Sequence, residues 1–298
     1  MRTELIHYNG WDNCIRIEND AIRLIITTEV GPRIIHFSRR NGGNVFQEFD
    51  NDRGVKGGLE WRSYGGHRLW HSPQVGYRPS QPDNDPVHYA IDGATVKLTA
   101  ETEKATGVQK TFKITLHANE PRVTVKHSLT NKNMWPIEMA AWALSVMHAG
   151  GTAVLPVPQN DTMFLPNYMF SFWPWTKPND HRLLLGEKTI TVRQDTGDAN
   201  WFKIGLHNPA AWGAYIYDGN LFFKTMHFDA RARYPDFGAN FEIFADNHML
   251  ELETLSPLQL VEPNASIEHT EDWYLLECNA TSPESIEAIV HQTLKTAR

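Results

Sequence analysis

At 298 residues the chain is long enough for one large domain or two smaller ones, and for a substantial buried core. Its net charge of −7 is spread among residues of both signs with no basic run, which argues against a nucleic-acid partner. No apolar stretch approaches the ~20 residues that span a bilayer, the start lacks a secretory pattern, and Cys14 and Cys278 make no disulfide framework; no membrane partner is expected, and the expected setting is cytoplasmic with reduced thiols.

Strand signals dominate from the start. Residues 15–18, 22–27 and 33–37 are short β-branched runs broken by Asn19-Asp20 and Gly31-Pro32. The segment YGGHRLWHSPQ, residues 64–74, sets two glycines before a histidine pair and Pro73 after it, which favours a strand end or loop over a helix. Further on, Phe112, Ile114 and Leu116 alternate with Thr111, Lys113 and Thr115, the period of a half-buried strand, and Val123 and Val125 repeat it. The ring- and proline-rich stretch at 164–182 fits neither strand nor helix; it reads as a loop packed on an edge or as the wall of a site, with Trp173 or Trp175 as a stacking platform. Asp218-Gly219 between two aromatic and β-branched runs suits a type I′ hairpin turn.

One helix is predicted, at the end of the chain. Thr281 and Glu284 have capping-box spacing with Pro283 in the first turn; Ile286, Ile289, Val290 and Leu294 form an apolar face; Lys295 and Arg298 complement the dipole. Strands and helices do not alternate, so a parallel α/β sheet is disfavoured. The expected fold is all-β, one domain over 1–298, a large antiparallel sandwich with a short C-terminal helix.

Two clusters offer chemistry. His67 and His71 lie four apart and therefore share a face of an extended strand, with Arg68 and Trp70 on the other. They read as incidental loop histidines or as part of a site; a zinc reading lacks a third ligand, and no metal is expected. In MLELETLSPL, residues 249–258, Glu251 and Glu253 share a face if extended. Asp236 and Glu242 stand among aromatic residues just before them, a combination suited to a polyhydroxylated ligand. Arg68, Arg33 and Lys224 could hold an anionic group on such a ligand or balance nearby acids.

Together TTEVGPRIIHF, GGHRLWHSPQ, AAWALSVMHAGGTAVLP, YPDFGANFEIF and LELETLSPLQLVEPNASIEHTEDWYL resemble a bacterial branch of the galactose mutarotase-like superfamily, the aldose 1-epimerases and their relatives. For the epimerases themselves the resemblance rests mainly on Leu252-Glu253-Thr254. It implies a β-supersandwich with no cofactor, acting on a small-molecule carbohydrate by interconverting its anomers. Glu253 would take the proton of the anomeric hydroxyl, and a histidine would protonate the ring oxygen. Trp142, in MAAWALSVM, stands where that histidine is expected, so the acid falls to His71 or His67, and one of them must face Glu253 across a cavity. Arg68, Arg33, Trp70, Glu242, Asp236 and Trp142 would bind substrate. The alternatives are a carbohydrate-binding protein without catalysis, or glycoside cleavage by Glu251 and Glu253. The latter is weakened because same-face neighbours on one strand lie only ~7 Å apart, whereas such acids must flank a bond.

Overall fold

A computed structural model describes residues 1–296. The period-two segments fold as strands, every named pairing among them antiparallel, in two large sheets. The first runs, in spatial order, Arg2–Tyr8, Trp11–Glu18, Ile22–Thr27, Arg33–Arg39, Gly66–Ser72, Ile137–His148, Met249–Leu255, Phe241–Ala245, Phe202–Leu206 and Phe170–Phe172, with Gln259–Val261 paired off to the side. The second runs Leu183–Leu185, Thr189–Arg193, Thr152–Pro156, Trp212–Tyr217, Asn220–Met226, Ser266–Glu277, Arg122–Asn131, Val108–Leu116, Thr95–Thr99 and His88–Asp92. Neighbours in space are often far apart in sequence: Gly66–Ser72 and Met249–Leu255 both pair with Ile137–His148.

Burial explains the layering. Arg122–Asn131 alternates strictly between buried and half-buried residues, as a strand with one covered face must. By contrast, Met139 to Met147 are all buried, because both faces of that central strand are covered. Between the sheets Phe37, Phe46, Phe222 and Trp273 pack with ring centroids 5.7–6.0 Å apart, mostly tilted or edge-on as ring quadrupoles prefer.

The turn and the helix form for the reasons their residues supply. Asp218 and Gly219 both have positive φ, 46° and 68°, as a type I′ turn requires. The helix spans Pro283–Thr296 and buries Ile286 and Val290 against Trp212, Ala214 and Phe223 of the second sheet. Its cap lies one residue later than predicted: the Ser282 hydroxyl, not that of Thr281, accepts the Ser285 N–H at 3.2 Å. Arg298 lies outside the described residues.

Gly65 and Gly66, with φ of 91° and 70°, bring the chain into Gly66–Ser72. A Cβ on either would overlap a carbonyl oxygen, that of Gln47 or of Ile34. The two glycines therefore serve a close backbone approach that fixes the face each later residue of the motif presents.

Candidate functional site

The first sheet carries a row of side chains on the face turned away from the second sheet. Register places Arg68 opposite Leu144, Leu144 opposite Glu253, and Glu253 opposite Glu242. The neighbouring rows hold Trp70 with Trp142, and Glu251 with Phe244 and Lys203. Over this floor opens a cleft of about 730 Å³, with Trp61, Trp70, Trp142, Trp173, Trp175 and Trp201 among its lining residues. Six of the chain's ten tryptophans thus converge on one place.

Two charged groups sit on this floor. Arg68 Nη2 donates to Glu251 Oε1 at 2.5 Å, and its guanidinium lies over the rings of Trp70 (4.6 Å) and Trp61 (5.5 Å). Burial pushes the Glu251 carboxyl up; Arg68 pulls it back and Glu253 raises it again, leaving it at about 7. Lys203 lies 4.4 Å from the Trp142 ring and 4.8 Å from that of Trp173. Its ammonium donates to Glu253 Oε2 at 3.0 Å and lies 2.7 Å from Glu242 Oε2, though without the angle of a directed hydrogen bond. Burial alone would lower the Lys203 pKa, but the two carboxylates outweigh it and hold the ammonium charged.

Glu253 accepts a second bond on the same oxygen, from the Trp142 indole N–H at 2.6 Å. Glu253 Oε2 thus has two donors, whereas neither Glu242 oxygen has a directed partner. Burial, only partly offset by Lys203 and reinforced by Glu253, raises the Glu242 carboxyl well above its usual value.

The proposed acid–base pair requires correction. The alternation of Gly66–Ser72 that turns Arg68 and Trp70 toward the cleft turns His67 and His71 the other way, between the sheets. His67 Nδ1 meets Ser145 Oγ at 2.9 Å, and its Nε2 meets His127 Nε2 at 2.7 Å; His71 Nε2 accepts from Arg78 at 3.1 Å. Burial first, then the nearby cations Lys110 and Arg78, pushes His71 down to about 3. Neither histidine faces Glu253. Nor is Glu253 open to a substrate, being wholly buried beneath Trp142 and Lys203.

Three further residues stand elsewhere than expected. Arg33 is buried behind the glycine turn, bonded to Ser63 O at 3.0 Å and Asp83 Oδ2 at 2.6 Å, and lines no part of the cleft. Lys224 lies between the sheets, 2.8 Å from Glu271. Asp236 occupies a loop whose carbonyl accepts the Ser171 hydroxyl at 2.6 Å, outside the cleft lining. Trp70, Trp142, Trp173 and Trp175 do line it, and Glu242 underlies it.

Behind the floor is a second polar cluster. His67, His127 and Glu271 lie close enough together to share a metal ion. The Lys224 ammonium already balances Glu271 there, and Ser145 and the His269 carbonyl give the two rings outer partners as neutral imidazoles. Burial is the leading cause that lowers the pKa of His67, His127 and His269.

Two large antiparallel sheets and a C-terminal helix give the chain the galactose mutarotase-like β-sandwich fold. Among solved structures it is similar to a candidate aldose 1-epimerase from Klebsiella pneumoniae, at 11% identity over 97% of this chain and 86% of the other, with a TM-score of 0.63. A galactose mutarotase-like protein from Lactobacillus casei matches at 12% identity over 89% and 100% of the chains, TM-score 0.59. One from Clostridium acetobutylicum does so at 12% over 93% and 98%, TM-score 0.53. No protein-family model and no curated protein matches the chain.

Lys203, Trp201 and Trp61 escaped the sequence reading. In the sequence Lys203 sits between Phe202 and Ile204 like the outward position of a half-buried strand, where a lysine looks solvated, and Trp201 precedes that strand; in the structure Phe202–Leu206 is buried throughout. Only the pairing with strands fifty residues away brings Lys203 to Glu253.

Proposed function

We propose that the cleft on the first sheet binds a carbohydrate. The observation that carries this is the convergence of six tryptophans around an Arg68–Glu251 pair. Ring faces pack on the apolar face of a sugar, while a carboxylate and a guanidinium accept and donate hydroxyl hydrogen bonds. The galactose mutarotase-like proteins among the structural neighbours accord with this reading. Saturation-transfer NMR against a panel of neutral, acidic and phosphorylated sugars tests it. Transfer from the protein to a sugar, lost in an Arg68→Met/Trp142→Leu double variant that stays folded, is expected; no transfer to any sugar overturns it.

Interconversion of anomers is a second reading, favoured by one observation: Glu251, on the cleft wall, is held at about 7. A carboxyl so poised can act with both oxygens. As a neutral acid it gives its proton to the ring oxygen while its other oxygen takes the proton of the anomeric hydroxyl. The bond between ring oxygen and anomeric carbon breaks, an aldehyde forms, and the carboxyl ends protonated as it began. Rotation and reclosure give the other anomer. Lys203 holds its proton too firmly to serve as the acid and contributes a fixed positive charge instead. Exchange spectroscopy on a bound sugar decides: acceleration lost in Glu251→Gln supports the reading, and exchange no faster than in buffer leaves binding alone.

A further inference from the structure

We infer that the occupant of the cleft is a neutral oligosaccharide of at least two rings, rather than a single or an anionic sugar; this rests on the carbohydrate reading above. Two observations carry it independently.

The first is length. The cleft lining holds two aromatic groups that share no ring contact among the described residues. At its inner end Trp70 and Trp142 meet edge-on with centroids 5.2 Å apart, and Trp142 is only 4% exposed. At its outer end Trp201 stands between Trp175 (5.8 Å) and Phe244 (6.1 Å), and here Trp175 and Trp201 are 44% and 57% exposed. One pyranose at the inner platform would leave the outer pair bare in water. Exposed large aromatics gathered in one place mark a binding surface, and a second sugar ring on Trp201 would cover this one.

The second is charge. Arg68 and Lys203 are the only lysine or arginine among the described residues lining the cleft, and both are engaged, by Glu251 and by Glu242 with Glu253. Asp246 adds a further acid to the lining. A phosphate or uronate entering here finds no free lysine or arginine among the described lining residues, with only the exposed His248 beside them, and to pair with Arg68 or Lys203 would have to displace a buried ion pair at a large desolvation cost. Hydroxyl groups need no such displacement: they donate to the carboxylates and accept from the remaining N–H groups.

Calorimetric titration tests both parts. The probes are glucose, mannose and galactose; cellotriose, maltotriose and mannotriose; and glucuronate with trigalacturonate. A neutral trisaccharide is expected to bind about tenfold or more tighter than its own monosaccharide. Trp201→Ala, a change at an exposed position, is expected to erase that gain, so that the variant binds a trisaccharide no tighter than its monosaccharide. Equal affinity for a trisaccharide and its monosaccharide, or a gain that survives in Trp201→Ala, overturns the length inference and leaves the carbohydrate reading standing. Tighter binding of glucuronate or trigalacturonate than of the neutral probes overturns the charge inference. Heat from none of them overturns the carbohydrate reading, and this inference with it.

Discussion

Replacing Glu253 by Gln separates an anchoring role from a catalytic one. Its Oε2 accepts two charge-assisted hydrogen bonds, from Trp142 at 2.6 Å and Lys203 at 3.0 Å, in a fully buried place. Hydrogen bonds to a charged group are worth ~1.5–3 kcal/mol and neutral ones ~0.5–1.5, so a neutral amide forfeits ~1 kcal/mol on each. The net destabilisation should be about 2 kcal/mol, a fall in Tm of roughly 3 °C for a chain of this size. Thermal unfolding by circular dichroism measures it. Lys203→Met should cost less in the Glu253→Gln background than alone, because the two share one network. A Glu253→Gln variant that melts with the wild-type midpoint yet loses a sugar activity would refute the anchoring role and restore Glu253 as a base.

Four other outcomes follow from the same geometry. His67, His127 and His269 are held below their usual 6.5, so the stability they contribute is present above that pH and lost as it falls; His269, at about 3, extends the window downward, and Tm should drop steadily on acidification. Glu251 acts in the opposite sense: its contribution is present below 4.5 and lost as pH rises through about 7, so Glu251→Gln should flatten that limb of a Tm-against-pH curve. Arg68→Met removes the partner that restrains Glu251 and should move its titration above 7, as read by NMR of carbon-labelled glutamate. Gly65→Ala should destabilise by at least ~2 kcal/mol in urea unfolding, because a Cβ there meets the Gln47 carbonyl at a positive φ.

Much of the fold could be read from alternation, because the strands from Val108 to Asn131 each keep one face wet. The Asp218-Gly219 turn and the terminal helix carried their own local chemistry. The site was less legible, for a definite reason. Period two correctly separated His67 and His71 from Arg68 and Trp70, but nothing local says which set faces a cleft when both faces of Gly66–Ser72 are buried. The histidines could be accommodated between the sheets as neutral rings in a hydrogen-bond chain, whereas Arg68 needed a carboxylate, and Glu251 lies 183 residues away. Lys203 likewise depended on a non-local pairing, with Glu253 fifty residues away. Trp142, noted for standing in place of an expected acid, proves to be the donor that ties Glu253 down.

The account stands or falls on what occupies the tryptophan-lined cleft. A crystal structure of the protein soaked with the neutral trisaccharide that binds tightest tests this most directly. One ring against Trp70 and Trp142 within hydrogen-bonding reach of Arg68 and Glu251, and another against Trp201, is the predicted result. A sugar seated elsewhere on the molecule, with this cleft empty, would contradict it.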